Sequence, residues 1–522
     1  MYLESGTLVY SPSDITTFMA SPFASWMERL ALEYPDRAPE PDPADELGGV
    51  LQQCGLQHEA HQLQQFREQG FTVADLSEQA LGSNSFPLRQ QATLEAMRAG
   101  YGIIYQAALE QSPFRGYVDF LVKVPGSSQL GDYHYEVWDT KLSLKVKPAA
   151  VVQLCCYTDM LTQLQGIQPL HLVVVTGSGE AKILKVEDYL YYYRSLRNRF
   201  LAQQQAFHPS QMPDPADSTS FGRWSQFAEH LLDTQDHLSR VANITRSQIK
   251  KLNQSSIHTC TALASTELPR IRGMQQTRFE YLKAQATLQL ASAGQIPPLY
   301  EILKPDNGQG LALLPPHDDA DVFFDIEGFP LEEGGLEYLW GNTYFDEAGQ
   351  RQFLDFWAHN PEQEKQAFQS FIQWAYQRWQ AHHHMHIYHY ASYEVTACKR
   401  LMGRYGVCEH EVDQFLRHGV FVDLYRIVKT GMLLGEPRYS IKNVEHLYRG
   451  KRDTAVGNGG DSVVVYERWR EMPDGDTWET SQILRDIRDY NRDDCESTQE
   501  LTAWLREQQA IHGIGWVAPT VP

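Results

Sequence analysis

Two stretches that alternate apolar and polar residues restrict this chain to folds built around a sheet. Residues 115–122 (RGYVDFLV) and 134–141 (HYEVWDTK) are predicted strands. Side chains two residues apart on a strand share a face, so Asp139 and Lys141 project to one side, and Asp119 lies on the neighbouring strand. Because charges on a half-buried sheet are costly, we expect the carboxylates to bind a divalent metal and the lysine to assist chemistry at a phosphate.

Helices predicted over 48–68 and 148–164 flank these strands and give an α/β core. The upstream helix contains the run GLQHE, in which His58 is a candidate metal ligand. Gln153 and Tyr157 are four residues apart and share one face of the downstream helix. They are candidates for positioning the lysine or the substrate.

These elements follow one another in the order G-x-x-H-E, R-G-x-x-D-F, E-x-W-D-x-K and Q-x-x-x-Y, over roughly residues 1–230. The combination resembles the RecB-like nucleases of the PD-(D/E)XK group, including their CRISPR-associated branch. The resemblance implies a restriction-endonuclease-like α/β domain over 1–225. Asp119 and Asp139 would then be catalytic metal ligands, His58 a further ligand and Lys141 a catalytic residue. A plain ion pair between Asp139 and Lys141 is the structural alternative.

Many RecB-like relatives carry an iron–sulfur cluster on one early and three later cysteines. Here Ser21 occupies the early position, and residues 219–228 contain no cysteine. The chain has seven cysteines, none in a C-x-x-C spacing. We therefore expect no iron–sulfur cluster.

A second acidic pattern begins in the apolar run DVFFDIE, where Asp325 and Glu327 share a strand face that can hold a divalent ion. Near the other end, the run YNRDDC places Tyr490 and Asp494 four residues apart on a helix. A carboxylate there would complete the metal site, and a tyrosine one turn earlier would hold a water molecule. A solvated strand face and a surface helix pair are the alternatives.

These motifs resemble the first and third motifs of the DEDD exonucleases of the tyrosine type (DEDDy). The resemblance implies an RNase H-like domain over 313–522, with two Mg²⁺ or Mn²⁺ ions as cofactors and Asp325, Glu327, Asp494 and Tyr490 as catalytic residues. The second motif usually supplies an aspartate. In the segment 386–394 (HIYHYASYE), Glu394 is assigned that catalytic and metal-binding role, and Asp423 is the second choice.

The segment between these domains, 226–312, is predicted to be a helical connector. Residues 244–264 resemble a degraded helix-hairpin-helix in which Ser256 stands where the hairpin glycine is expected, and a plain helical spacer fits equally well. Gly-rich residues 450–460 are predicted to form a loop. Between 70 and 125, short apolar runs separated by turn residues predict strands.

The charge of the chain argues against a protein that coats nucleic acid, since 66 acidic residues oppose 45 basic ones and give a formal net charge of −21. The proposed metal ligands account for part of this acidity, because a bound cation makes them locally neutral or positive. The first residues lack a basic region followed by an apolar run, and no apolar run reaches the roughly 18–20 residues that span a bilayer. We expect a cytoplasmic protein with no membrane partner.

Taken together, the resemblances imply a metal-dependent DNA nuclease. It would be a 3′–5′ exonuclease on single-stranded or end-bearing DNA, with a second, RecB-like centre. RNA is the alternative substrate, and a nucleic-acid-binding scaffold with one or both sites silent is the alternative from another class. Some relatives in the RecB-like family continue into a helicase, whereas this sequence shows no G-x-x-x-x-G-K-[ST] motif. The resemblance therefore makes a separate helicase a candidate partner.

Overall fold

The computed structural model describes residues 1–44, 46–82, 85–305, 308–332, 334–450 and 459–518. The chain divides into two compact units. Unit 1 comprises Met1–Leu232 and Leu331–Gly334, and unit 2 comprises Asp233–Pro330 and Gly335–Pro522. The predicted domain boundaries at 225 and 312 stay predictions. Of the predicted loop 450–460, residues 451–458 lie outside the described part of the chain.

Unit 1 alternates strands and helices. Its strands are β1 (Tyr2–Glu4), β2 (Thr7–Val9), β3 (Val73–Asp75), β4 (Ile103–Gln111), β5 (Phe114–Ser128), β6 (Gly131–Thr140), β7 (His171–Val175) and β8 (Ala181–Lys185). Its helices are α1 (Pro12–Ala20), α2 (Pro22–Glu33), α3 (Glu46–Glu68), α4 (Glu78–Leu81), α5 (Phe86–Ala99), α6 (Pro148–Gln165) and α7 (Glu187–Gln205), followed by α8 (Ser225–Thr234).

A six-stranded sheet in the order β3-β4-β5-β6-β7-β8 forms the centre of unit 1. Strand β6 pairs antiparallel with β5 and parallel with β7. The strand alternation sends Val137 into a large core with α1, α6 and α7, and Trp138 onto the opposite face, where it packs against Phe66 of α3. Asp139 therefore faces the α6 side of the sheet.

The structure differs from the sequence-based prediction at α5, which occupies part of the 70–125 region where strands were expected. Pro87 lies in the first turn of this helix, and Gly100 ends it in the left-handed conformation at φ 72°. Its buried side chains, Arg89, Thr93, Ala96 and Met97, follow helical spacing but include few strongly apolar residues. With so few apolar residues, the sequence of α5 shows no clear helical periodicity of hydrophobic positions.

Unit 2 has its own strands and helices. The strands are β9 (Tyr300–Ile302), β10 (Val322–Phe329), β11 (Leu336–Phe345), β12 (Arg351–Trp357), β13 (Ile387–His389), β14 (Phe421–Asp423) and β15 (Met432–Leu434). The helices are α9 (Arg246–Asn253), α10 (Cys260–Ser265), α11 (Gln276–Ser292), α12 (Pro361–Ala381), α13 (Tyr393–Tyr405), α14 (Glu409–Arg417), α15 (Leu424–Gly431), α16 (Ile441–Val444), α17 (Gly459–Glu471) and α18 (Gln482–Ile511).

The main sheet of unit 2 has five strands in the order β12-β11-β10-β13-β14. Central β10 pairs antiparallel with β11 and parallel with β13. Phe324 stacks on Phe371 of α12 at 4.3 Å between ring centroids. Phe323, on the opposite face, joins a core with Leu501 and Leu505 of α18. Asp325 and Glu327 share the face of Phe323, so α18 is the helix that covers them.

The predicted connector is helical over α9, α10 and α11, which share a small apolar core. Ser256, between α9 and α10, adopts φ 61°, the left-handed conformation that favours glycine. A turn therefore lies where the degraded hairpin was expected. No helix among the described residues is both long and apolar enough to cross a membrane.

Candidate active sites

Three carboxylates of unit 2 converge in the cleft between β10 and α18. Asp325, Glu327 and Asp494 each offer a ligand atom, and these atoms lie within 4.8 Å of one another. The strand alternation aims the first two at α18, and the long apolar face of α18 fixes the third. Such a set of oxygen donors fits a divalent cation.

Glu327 lies at the buried end of this triad. Its Oε2 accepts a 2.7 Å hydrogen bond from Ser462 Oγ, and Ser462 is itself hydrogen-bonded to Tyr338. Burial raises the pKa of Glu327 to about 8, and the nearby charge of Asp494 adds to the effect. A bound divalent cation would restore the ionised carboxylate, since an opposite charge favours the charged form.

Asp325 is held from the helix side. Asn491 Nδ2 donates a 2.7 Å hydrogen bond to Asp325 Oδ2. Gly341 stands opposite Asp325 on β11, and a Cβ atom there would lie 1.7 Å from Asn491 Oδ1. The glycine thus leaves room for the amide. Sequence reasoning missed Asn491, although it follows Tyr490 in the same YNRDDC run.

Tyr490 is nearly buried beside the triad. Burial raises the pKa of its hydroxyl, and the charges of Asp494, Glu327 and Asp325 raise it further. The phenol therefore stays protonated at neutral pH and can donate a hydrogen bond. Lys442 Nζ lies 6.0 Å from the centre of the Tyr490 ring and adds a positive charge near the cleft. This lysine too was missed by the sequence analysis.

Glu394, the expected second-motif ligand, lies in the first turn of α13 and outside the close triad. Its charge still contributes to the raised pKa of Glu327. Its Oε2 lies 3.3 Å from His389 Nδ1, and both side chains are buried. Asp423 caps α15, and its Oδ1 accepts the backbone N–H groups of Arg426 and Ala391. Its role as the second-choice ligand stays a prediction.

Three of the residues predicted for the site in unit 1, Asp119, Asp139 and Lys141, lie close together. Lys141 Nζ lies 2.5 Å from Asp139 Oδ2. Asp119 Oδ2 accepts hydrogen bonds from the backbone N–H of Thr140 at 3.0 Å and from its hydroxyl at 3.2 Å. Burial raises the pKa of Asp139, and Asp119 raises it further. Burial alone would lower the pKa of Lys141, but Asp139 and Asp119 outweigh it and leave that pKa raised.

On α3, the carboxylate of Glu59 lies within the electrostatic influence of Asp119 and Lys141. Glu59 accepts a hydrogen bond from Gln106, and burial together with the charge of Asp119 raises its pKa to about 7. Its neighbour His58 has a buried Nε2 with no hydrogen-bond partner in the described residues. The G-x-x-H-E run contains both residues, but its pattern predicts only His58 as a metal ligand.

The two predicted positioning residues lie on α6. Gln153 and Tyr157 are hydrogen-bonded to each other, and burial raises the pKa of Tyr157, as do the charges of Asp119 and Asp139. A Cβ atom at Gly116 would lie 2.9 Å from the Tyr157 ring. The glycine of the R-G-x-x-D-F motif thus lets the tyrosine approach the strand.

Residues 322–506 match the family model of the RNase H superfamily. This segment is an RNase H-like domain. It begins at β10 and ends within α18, so it contains all three carboxylates of the triad. Nucleases of this superfamily typically use divalent metal, and the donor set of the triad fits such an ion. No curated protein matches the chain.

Proposed function

We propose that unit 2 is a metal-dependent exonuclease that removes nucleotides from the 3′ end of single-stranded or end-bearing DNA. The observation that carries the proposal is the convergence of Asp325, Glu327 and Asp494 within 4.8 Å, with the protonated Tyr490 beside them. The RNase H-like domain supports the nuclease class. Mg²⁺ or Mn²⁺ is the proposed cofactor.

Each residue has a defined task in this proposal. Asp325, Glu327 and Asp494 would hold the metal, which supplies an activated water and stabilises the leaving 3′-oxygen. Tyr490 orients the attacking water through its hydroxyl. Glu394 would be a further ligand for the metal. Asn491 and Ser462 keep the first two carboxylates in place by hydrogen bonding.

The test is digestion of a 5′-labelled DNA strand by the full chain in Mn²⁺. The expected product is a ladder that shortens from the 3′ end, and a 3′-terminal phosphorothioate should slow it. Asp325→Ala and Asp494→Ala should reduce the rate by at least 100-fold, whereas the exposed Glu347→Ala should not. A wild-type rate in both site variants would overturn the proposal. A matched RNA strand, cut faster than DNA, would replace DNA with RNA as the substrate.

A second centre in unit 1 is proposed from the Asp139–Lys141 pair and the adjoining carboxylates of Asp119 and Glu59. Asp119 and Asp139 would hold a divalent ion, His58 would be a further ligand, and Lys141 would stabilise charge that develops on the phosphate. DNA products that the Asp325→Ala variant still releases, but that the Asp139→Ala, Asp325→Ala double variant does not, would be assigned to this centre. Binding of DNA without hydrolysis in any metal would favour a scaffold.

A further inference from the structure

Unit 1 contains an apolar cavity of about 200 Å³ between α6, α7 and β8, which we name the tyrosine cavity. Helix α7 contributes three tyrosines to its lining, Tyr189, Tyr192 and Tyr193. The lining also includes Val151 and Cys155 of α6 and Leu184 of β8. Nearly all of its lining is apolar. It is smaller than the roughly 300–1,000 Å³ of pockets for drug-sized ligands, which limits an occupant to about one planar ring system.

The tyrosine cavity and the Asp139–Lys141 cluster lie on the same face of the sheet. Val137 belongs to the same core as Val151 and Cys155, and Asp139 shares the strand face of Val137. Residues 141–147 form a short link between the Asp139–Lys141 cluster and the tyrosine cavity. Val146, which lines the cavity, follows Lys141 by five residues, so the two positions are at most about 18 Å apart.

Lysines border this path. Lys145 and Lys147 are exposed in the link, and neither forms an ion pair within the described ranges. The surface is not uniformly positive, because Asp188 lies one helical turn before Tyr192. A phosphate backbone would therefore follow the lysines of the link, and the cavity itself would hold a ring rather than a phosphate.

We propose that the tyrosine cavity binds one nucleobase of a single DNA strand whose backbone runs along the 141–147 link. The proposal rests on the second centre proposed for unit 1. Aromatic side chains stack on any base, so this contact would anchor a strand without selecting its sequence. The half-exposed Tyr192 forms the entrance, and the apolar residues of α6 form the floor.

The test is photocrosslinking of the full chain to an oligothymidine that carries 5-iodouracil, in EDTA so that neither proposed centre can cut. Mass spectrometry should find the crosslink on the peptide of Tyr189–Tyr193. Tyr192→Ala should reduce the yield on that peptide about 10-fold. Tyr191→Ala is the matched control, because this neighbour is 82% exposed and does not line the cavity. It should change the yield less than twofold.

A cavity-filling variant separates the site from a general surface effect. Val151→Phe leaves all three tyrosines in place but occupies the cavity, and it should reduce the crosslink as Tyr192→Ala does. Equal yields from Tyr192→Ala and Tyr191→Ala, or an unchanged yield in a folded Val151→Phe protein, would overturn the proposal. Cleavage assays report separately: a crosslink without Asp139-dependent cutting removes the second centre, and cutting without the crosslink removes the tyrosine cavity.

Discussion

Asn491 Nδ2 donates a 2.7 Å hydrogen bond to Asp325 Oδ2 in the acidic cleft of unit 2. The amide is fully buried, and it comes from the same helix that supplies Asp494. One helix therefore contributes both a carboxylate of the triad and the donor that orients another. The geometry of the candidate metal site therefore depends on how α18 packs against β10.

Asn491→Ala should weaken Mn²⁺ binding about 10-fold, because outer partners of metal ligands typically contribute 10–100-fold to metal affinity. Titration calorimetry on the metal-free chain measures the dissociation constant. Gln499→Ala, two turns further along α18, is the control and should leave it unchanged. Equal dissociation constants for Asn491→Ala and wild type would contradict the orienting role of the amide.

Gly341→Ala should both destabilise unit 2 and weaken Mn²⁺ binding. The new Cβ would lie 1.7 Å from Asn491 Oδ1 and displace the amide. Overpacking of this kind costs about 1–3 kcal/mol of unfolding free energy, which urea denaturation measures. Gly403→Ala is a matched substitution in α13 with nothing within 4 Å of the new Cβ, and it should be neutral or stabilising. If both variants unfold alike, the crowding argument is wrong.

Ser462→Ala should move Mn²⁺ binding to higher pH. The Ser462 hydroxyl stabilises ionised Glu327, whose pKa burial already raises to about 8. Without this donor the proton is held more tightly and competes better with metal, so the pH midpoint of binding should rise by about one unit. Ser370→Ala, on the exposed face of α12, should leave the midpoint in place. A downward shift in Ser462→Ala would contradict this account.

His359 should make unit 2 sensitive to mild acid. Burial lowers its pKa from 6.5 to about 4, with a further contribution from Arg470. A lowered histidine pKa means that the unfolded chain binds the proton first. The stability it contributes is therefore present above pH 6.5 and is lost as the pH falls toward 4.

His359→Gln keeps a hydrogen-bonding group for the Tyr466 hydroxyl, which lies 2.9 Å from His359 Nδ1, but it cannot titrate. Between pH 7 and pH 4.5, wild type should lose about 2 kcal/mol more unfolding free energy than this variant. Urea denaturation across that range measures the difference, with exposed His512→Gln as the control. Parallel curves for wild type and His359→Gln would exclude the effect.

Local spacing accounts for the features that sequence predicted well. The two strands around Asp119 and Asp139, the helix α6 and the strand β10 all appear where alternation or helical periodicity placed them. The same local geometry put Asp325 beside Glu327 and Tyr490 beside Asp494. Helix α5 escaped prediction because its burial depends on packing against β4, where Thr93 accepts a hydrogen bond from Ala108, rather than on a strong apolar period.

Sequence spacing could not identify the residues that complete the sites. Ser462 lies 135 positions from Glu327, and no sequence spacing links the two. Glu59 stood in the same run as His58, but only the path of α3 over the sheet brings its carboxylate into the field of Asp119. The roles assigned to Glu394 and His58 stay predictions.

The sequence by itself determined which side chains share a face, because a strand repeats every two residues and a helix every 3.6 whatever surrounds them. It thereby located two acidic patterns and the nuclease class they resemble. Only the tertiary structure decided which carboxylates meet, how deeply they are buried and which donors hold them. Those properties depend on contacts between segments far apart in the chain, and a pKa responds to burial and neighbouring charge, which local periodicity does not contain.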